Sequence, residues 1–328
     1  MGNPTICLVI PLFNDWPAVR RLFATLADCF ARTGVSFDVI IVNDASTITD
    51  DGVLDDAAGG AITAICVLDL RANVGHQMAV ATGLHYAQEN RSFDAVLVMD
   101  ADGEDSPADA LRLVQAWQTD PDKIVVAARR KRSEPLAFKI FYRLYRALFR
   151  LMTGRSISFG NFSLIPAGAG PAVLSRPELL HHLAATLLRT RLPLVTVPTH
   201  RGRRYNGQSQ MNMPSLVLHA LGALSVFSDI LFSRLLIAMA LIGSLCGLGA
   251  IFVTALRLFT PYAFPNWATT VIGFLTLLTG QMIMIALFAG FQLLMGRSSA
   301  LLTTLESARL IKEVRAVGGV RPHAPQSA

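Results

Sequence analysis

Two long uncharged segments constrain the fold of this 328-residue chain more than any other feature. Leu235–Leu256 contains no charged residue, and a second uncharged segment, Leu258–Gly296, follows Arg257. At about 1.5 Å per helical residue, the first segment extends about 33 Å, enough to cross a hydrocarbon core roughly 30 Å thick. Because helices in soluble cores seldom run this far without a charge, the sequence predicts a two-helix transmembrane domain over 229–296.

The flanks of these segments predict the topology. Thr260–Asn266 contains two prolines and predicts a short turn, followed by a second helix over 267–295. Arginine and lysine are frequent before the first span and after the second, whereas the turn region has only Arg257. Since cytoplasmic flanks carry the excess of basic residues, we expect a multi-pass protein of the cell (inner) membrane with both ends cytoplasmic. Residues 297–328 are then expected to be a cytoplasmic tail, partly disordered.

Charge is distributed unevenly along the chain. Residues 1–128 carry 18 of the 23 acidic residues and 7 of the 29 basic ones, so the remainder is strongly basic. Such asymmetry indicates that the basic part meets an anionic surface, either nucleic acid or lipid. Two membrane spans and an acidic N-terminal part argue against nucleic acid, so we expect membrane lipids as a partner and no nucleic acid.

A basic amphipathic segment over 136–153 is a candidate membrane-surface helix. Lys139, Arg143, Arg146 and Arg150 are spaced 4, 3 and 4 residues apart, which places them on one helical face, and aromatic and aliphatic residues cover much of the rest. Each base near an anionic surface contributes about 1 kcal/mol to binding. The alternative is a helix that packs on the protein's own core and exposes a basic stripe to water.

The first 128 residues alternate short apolar runs with helical patterns. Strands are predicted over 6–11, 37–42, 62–68, 95–99 and 124–128, with amphipathic helices between several of them. This order predicts an α/β domain over 1–228 with a mostly parallel, Rossmann-like sheet. Ligands of such sheets bind beyond the carboxyl ends of the strands.

Acidic side chains follow three of these predicted strands. Asp15, Asp44 and the segment Asp100–Asp105 lie directly after a strand, so their loops are expected to converge at one edge of the sheet. Clustered carboxylates favour a hard divalent cation, Mg²⁺ or Mn²⁺. Neither of the common glycine-rich phosphate-binding motifs is present. A cation bound to these carboxylates can also bind a diphosphate, which fits a nucleotide-diphosphate substrate.

Five segments form an ordered series of motifs: Val9–Asp15, Ile41–Ser46, Arg71–His76, Met99–Pro107 and Arg204–Gln210. In this order they resemble the opening strand, the V-N-D-G-S motif, the R-N-x-G helix start, the D-x-D metal segment and the later R-x-x-G-x-S motif of the family 2 glycosyltransferases, which have a GT-A fold. With two C-terminal spans, the chain resembles the polyprenyl-phosphate branch that contains dolichyl-phosphate mannose synthase and bacterial undecaprenyl-phosphate glucosyltransferases.

The resemblance implies a role for each matching residue. The nucleotide would be bound by Pro11, Phe13, Asp15, Asp44, Asp100 and Arg129. The metal would be bound by Asp100, Asp102 and Glu104. The implied catalytic residues are Asp102, Asn161 and Arg204. The acceptor phosphate and the membrane surface would be met by Ser209 and Gln210 of the later motif and, from the basic helical face described above, by Arg143 and Arg146.

Several positions depart from the family pattern. His76 and Gln210 stand where lysine is usual, and Glu104 stands where glutamine is usual. Asn161 replaces an acidic residue and cannot accept a proton, which argues against a general base there. A polyprenyl phosphate is already an oxyanion at neutral pH, so an acceptor of this kind requires no base.

The resulting hypothesis is a metal-dependent, inverting transfer of a sugar from a UDP-glucose or GDP-mannose type donor to a polyprenyl phosphate at the cytoplasmic membrane face. Two alternatives remain open: a processive polysaccharide synthase, and a non-catalytic membrane or lipid-binding relative. The processive enzymes carry a Q-x-x-R-W segment that this chain lacks. The resemblance also implies a homo-oligomer, such as a tetramer.

Overall fold

The structure is a computed structural model. It describes residues 3–54, 57–129, 143, 146–147, 149–200, 202–205, 213–260, 267–298 and 303–317. The chain forms two compact units. The first unit contains 1–147, 155–226 and 302–328, and the second contains 148–154 and 227–301.

The first unit is built around one eight-stranded sheet. In chain order its strands are β1 (Thr5–Leu12), β2 (Ser36–Asn43), β3 (Ile62–Leu70), β4 (Ala95–Val98), β5 (Ile124–Arg129), β6 (Ser163–Pro166), β7 (Leu194–Thr199) and β8 (Ile311–Val317). Their spatial order is β7-β5-β6-β4-β1-β2-β3-β8. Pairings among β1, β2, β3 and β4 are parallel, as is β5 with β7. The mostly parallel sheet predicted from the sequence is therefore confirmed.

Two strands run against the others and extend the sheet beyond the predicted set. β6 pairs antiparallel with both β4 and β5, and so places residues 161–162 close to the carboxyl end of β4. β8 pairs antiparallel with β3 and forms one edge of the sheet. Asn161, just before β6, and Arg315, on β8, are thereby brought near the strand ends from distant parts of the chain.

Helices cover both faces of the sheet. On one face α1 (Trp16–Phe30) and α3 (Pro107–Thr119) bury apolar residues against alternate residues of β1 and β2. On the other face α2 (His76–Asn90) packs with α4 (Gly170–Leu174) and α5 (Leu183–Thr190). Central strands that are buried on both faces read as continuous apolar runs, which is the pattern of Ile6–Ile10.

Helix α2 approaches the sheet unusually closely. A Cβ atom added at Gly83 would lie 2.6 Å from a methyl carbon of Val9 and 2.7 Å from one of Val42. No side chain fits in this space, so glycine lets the helix axis lie directly over β1 and β2. This packing fixes the height of the α2 N-terminus above the strand ends.

The C-terminal segment is not the separate tail that the sequence predicts for 297–328. After the apolar helices, α9 (Thr303–Leu310) packs against α2, and β8 follows it directly. Leu310 and Ile311 contact the core beneath α2. Pairing with β3 satisfies backbone groups that an open sheet edge would expose, which explains why these residues form a strand. Residues 318–328, to which the predicted disorder extends, lie outside the described residues.

The second unit contains the two apolar helices, α7 (Ser228–Phe259) and α8 (Trp267–Ser298). Both are long and apolar enough to cross a membrane, and neither has its apolar window buried inside the protein. The two helices pack on each other. Two long apolar helices are thus present where the sequence predicts them, and their crossing of a membrane stays a prediction. Helix α6 (Met213–Ser225) precedes them in the first unit.

Only part of the predicted interfacial segment 136–153 falls within the described residues. Positions 143, 146, 147 and 149–153 are helical. Within the second unit, the Phe149 ring meets Phe227 edge-on at 5.7 Å, and the Arg234 guanidinium donates to the Leu151 carbonyl. The end of this segment is thus attached to the start of the first apolar helix.

We expect Gly83→Val to destabilise the protein, because overpacking costs roughly 1–3 kcal/mol and here displaces a helix from two strands. The predicted result is a fall in Tm of about 5 °C or more for the full chain in detergent. Gly168→Ala is the control, since a Cβ there meets nothing within 4 Å. An unchanged Tm for Gly83→Val would contradict the close packing.

Candidate active site

The acidic loops converge at the carboxyl ends of β1, β2 and β4, as the sequence predicts. The loop after β1 is bonded to the loop after β2. Asn14 N donates to Ser46 Oγ at 2.9 Å, and Asn14 Oδ1 accepts from Thr47 N at 2.8 Å and from Ile48 N at 3.2 Å. Asn14 has a positive φ of 57°, a conformation that asparagine tolerates better than most residues. The two loops therefore form one rigid surface.

Two residues of β1 and its loop differ in exposure. Pro11 is buried within the strand, whereas the Phe13 side chain is 47% exposed at the strand end. An exposed aromatic ring beside polar loops provides a flat apolar face, on which a nucleobase can stack. Phe13 is therefore well placed for the nucleotide contact that the sequence predicts.

Asp44 is buried, and its carboxylate binds the backbone at the start of α2. Oδ1 accepts from Val74 N at 2.7 Å, and Oδ2 accepts from Gly75 N at 2.9 Å. These amides precede a helix N-terminus, where the unsatisfied N–H groups favour a negative charge. Asp44 thus joins the end of β2 to α2 and fixes the position of His76.

The loop Asp100–Asp105 is closed by its own carboxylates. Asp105 is buried and its Oδ2 accepts from Asp100 N at 3.1 Å, while Asp102 Oδ1 accepts from Glu104 N at 2.8 Å. Gly103 has a φ of 87°, and a Cβ atom there would lie 2.9 Å from the Arg203 carbonyl oxygen. Glycine is required by both the conformation and the close contact.

Arg204 bridges two of the predicted metal ligands. Its Nη2 lies 2.7 Å from Asp102 Oδ2 and its Nε lies 3.1 Å from Glu104 Oε1. Backbone bonds hold the two segments in register, with Gly202 N donating to Glu104 O at 2.9 Å and Tyr205 N donating to Asp102 O at 2.8 Å. Arg204, one hundred residues after Glu104 in sequence, is therefore part of the same site, as is the backbone of Gly202 and Tyr205.

Negative charge accumulates where these loops meet. Burial raises the pKa of Asp15, the nearby Asp102 carboxylate raises it further, and Arg204 lowers it in part. Burial is the larger cause, and the smaller effect of Asp102 shows that two carboxylates face each other across these loops. A cation bound between the loops would relieve this repulsion.

The donor atoms also fit such a metal, although they do not form a complete cage. Within the described part of the chain, no three His, Cys, Asp or Glu side chains are arranged to hold an ion. Mg²⁺ usually needs only one or two carboxylates, since waters and substrate phosphates supply its other ligands. Asp100 and Asp102 provide two such carboxylates, whereas Glu104 is largely buried against Arg204.

His76 connects Asn161 to Asp100. Asn161 Nδ2 lies 2.9 Å from His76 Nε2, and His76 Nε2 lies 3.7 Å from Asp100 Oδ1. Asn161 Oδ1 is buried and has no hydrogen-bond partner among the described residues. Two positions that depart from the family pattern are therefore in direct contact. The sequence marks both residues as unusual but does not indicate that they meet.

A histidine pair lies beneath this part of the site. His182 caps α5 by accepting from Ala185 N, and its Nε2 lies 3.1 Å from His219 Nε2 on α6. Burial and the nearby His219 lower the pKa of His182 to about 3. The pair is therefore neutral at physiological pH and contributes no positive charge near His76.

The remaining predicted site residues are Arg129, Arg143, Arg146, Ser209 and Gln210. Arg129 is the last residue of β5. Arg143 and Arg146 are exposed helical residues, and Arg146 Nη2 lies 3.5 Å from Ser156 Oγ. Ser209 and Gln210 lie outside the described residues. The nucleotide contact predicted for Arg129 and the acceptor and membrane contacts predicted for the other four residues stay predictions.

Comparison with known proteins agrees with this geometry. The family model "Glycosyl transferase family 2" matches residues 7–180. The chain is 22% identical to the uncharacterized glycosyltransferase YkcC of Bacillus subtilis, covering 81% of each chain. It is 25% identical to the undecaprenyl-phosphate 4-deoxy-4-formamido-L-arabinose transferase of Edwardsiella ictaluri, covering 88% of this chain and 87% of that protein.

A solved structure supports the fold. The glucosyl-3-phosphoglycerate synthase of Mycobacterium tuberculosis, in complex with Mn²⁺, UDP-glucose and phosphoglyceric acid, superimposes with a TM-score of 0.50 at 14% identity. The match covers 70% of this chain and 80% of that one. Since the family model spans more than half of the chain and the sheet has the GT-A arrangement, the protein belongs to glycosyl transferase family 2 and is a glycosyltransferase.

Proposed function

We propose that this glycosyltransferase transfers a sugar from a nucleotide-diphosphate donor to a polyprenyl phosphate at the cytoplasmic face of the cell membrane. The contact of Asp102 with Arg204, at the point where three acidic loops converge, carries the proposal. It places carboxylates suited to a metal beside a guanidinium suited to a diphosphate. The acceptor is inferred from the apolar helices and from the name of the Edwardsiella relative.

The donor half of the site is assigned as follows. Phe13 and the joined loops after β1 and β2 bind the nucleoside, and Asp44 keeps those loops in place through α2. Asp100 and Asp102 hold the divalent cation, with Glu104 as the further predicted ligand. When bound there, such a cation would supply positive charge to the departing diphosphate. Arg204 and Arg129 contribute positive charge on the phosphate side.

The acceptor half needs no general base. An oxygen of the lipid phosphate attacks the anomeric carbon, the bond to the nucleoside diphosphate breaks, and the leaving group takes the electron pair. Catalysis then depends on positioning and on charge stabilisation, not on proton transfer. Asn161 is proposed to donate its amide N–H to the acceptor phosphate, with His76 setting its orientation.

The path of the chain supports the proposed topology. The chain leaves the first unit before α7 and returns to it after α8, where β8 pairs with β3. A chain that crosses a membrane twice returns to the side from which it started. The N-terminal strands and β8 then lie on one side, and the basic flanks assign that side to the cytoplasm.

The first prediction that follows from the proposed function concerns activity. Purified protein with Mn²⁺, undecaprenyl phosphate and a panel of labelled nucleotide-sugars should give labelled lipid with at least one donor, and EDTA should abolish it. Labelled polymer would instead indicate a processive synthase, and no product with any donor would indicate a non-catalytic relative. Asp102→Asn should lower turnover by about a hundredfold or more.

Asp120→Asn is the matched control for this carboxylate. Asp120 directly follows α3 and pairs with Lys123 at 3.2 Å, a solvent-accessible contact of little energetic value. This variant should retain the activity of the parent protein. Full activity of Asp102→Asn, or activity that resists chelation, would contradict the proposed site.

A second prediction concerns Asn161. Asn161→Ala should lower kcat/KM for the lipid acceptor about tenfold, since a hydrogen bond to a charged group is lost. The donor KM should stay unchanged. Asn161→Asp should be worse than alanine because it places a negative charge against an anionic acceptor. Asn90→Ala, at the far end of α2, is the control, and a gain of activity in Asn161→Asp would indicate a general base instead.

A third prediction concerns orientation. In a cysteine-free background, Ala263→Cys should react with a membrane-impermeant thiol reagent on intact cells. Lys312→Cys, on exposed β8, should react only after permeabilisation. Labelling of both positions from outside would refute the cytoplasmic assignment.

A further inference from the structure

The C-terminal strand contributes an arginine to the nucleotide side of the candidate site. Arg315 Nε lies 2.6 Å from Asp69 Oδ2, and Arg315 Nη1 lies 3.0 Å from Asp50 Oδ2. Asp69 is the penultimate residue of β3, and Asp50 lies in the loop after β2. One guanidinium therefore holds together two segments that precede it by more than 240 residues.

Asp69 links Arg315 to the loops of the candidate site through hydrogen bonds. Its Oδ1 accepts from Asn43 Nδ2 at 2.6 Å, and Asn43 Oδ1 accepts from Ser46 N at 3.1 Å. Ser46 Oγ in turn accepts from Asn14 N at 2.9 Å. A continuous series of hydrogen bonds thus runs from Arg315 to the loop that carries Phe13 and Asp15.

The same C-terminal segment also contacts the start of the α2 motif. Arg71 N donates to the Leu310 carbonyl at 2.9 Å, and Arg71 Nε donates to the Arg309 carbonyl at 3.0 Å. Val74 and Gly75, whose backbone amides bind Asp44, follow Arg71 by three and four residues. Residues 303–317 therefore support both sides of the proposed nucleoside pocket without lying in it.

The chemistry of these contacts requires arginine. Asp50 and Asp69 are close enough to share one partner, so their mutual repulsion must be offset. The planar guanidinium can donate to both carboxylates at once in a fixed geometry, whereas a lysine ammonium is a single point charge. Loss of Arg315 would leave two carboxylates facing each other and remove the contact that holds Asp69 in place beside Asn43.

We propose that Arg315 is a positioning residue for the nucleotide donor: through Asp69 and Asn43 it sets the loops that bind the nucleoside, so the strand after the membrane helices is part of the donor site. This inference rests on the proposed function, because it assumes that these loops bind a nucleotide. It predicts an effect on donor binding that is separate from the chemical step.

The test uses the full chain in detergent, with UDP, GDP and CDP in the presence of Mn²⁺ as probes in calorimetric titrations. Arg315→Gln should weaken binding of the preferred nucleotide about tenfold, as expected for loss of a charge-assisted contact. The KM for the matching donor should rise by a similar factor, and kcat should change less than about twofold. Lys312→Gln, which removes an exposed charge from the same strand, should leave Kd unchanged.

Further variants separate positioning from folding. Arg315→Lys should recover part of the affinity. The double variant Asp69→Asn/Arg315→Gln should bind the nucleotide no worse than Arg315→Gln alone, because both changes interrupt the same series of hydrogen bonds. If Arg315→Gln does not fold, Asp50→Asn and Arg315→Lys replace it, since each keeps at least one charged pair. Each should weaken binding about threefold.

The outcomes distinguish failure of the proposed function from failure of the positioning role of Arg315. If the parent protein binds none of the three nucleotides, the proposed function fails. If the parent binds one of them and the Arg315 variants bind it equally well, the positioning role is overturned. That role is also overturned if Arg315→Gln lowers kcat and leaves both Kd and KM unchanged.

Discussion

The geometry of a parallel sheet collects carboxylates at one edge, and their mutual repulsion is the constraint on which the rest of this site depends. The loops after β1, β2 and β4 each carry acidic residues, and Asp102 lies near enough to Asp15 to raise its pKa. The protein offsets this charge from three directions. Arg204 binds Asp102 and Glu104, the amides before α2 bind Asp44, and Arg315 binds Asp69.

These three partners come from widely separated parts of the sequence. The 202–205 segment reaches the acidic loop through backbone hydrogen bonds, whereas β8 reaches the opposite side of the site by completing the sheet. The result is a rigid frame around a charge-rich centre, in which most acidic side chains have an assigned partner. Rigid placement of charged groups is what a displacement reaction without a general base requires.

The local elements of the fold follow from the sequence, but the contacts between distant segments do not. A buried strand requires a run of apolar residues, as in Ile6–Ile10, and a helix buried on one face requires apolar residues at helical spacing, as in α1. These patterns therefore predict both elements. The acidic strand ends predict a site because parallel strands share an edge. The meeting of His76 with Asn161 depends on how β6 inserts between β4 and β5, and no local pattern reports that arrangement. In β8, Ile311 and Val317 flank charged residues, a short pattern that resembles a solvated tail until its pairing with β3 is known.

Synthesis of the chain proceeds from the N-terminus, so the edge strand β8 leaves the ribosome after every other strand of the sheet. Until then β3 has an unpaired edge, and Asp69 and Asp50 lack the Arg315 guanidinium that pairs with both of them. Because β8 follows both apolar helices in the chain, the sheet is completed only after those helices have been translated. A nascent chain that stops before β8 has the acidic loops but not the edge strand that supports them, so formation of the complete sheet depends on translation of both apolar helices.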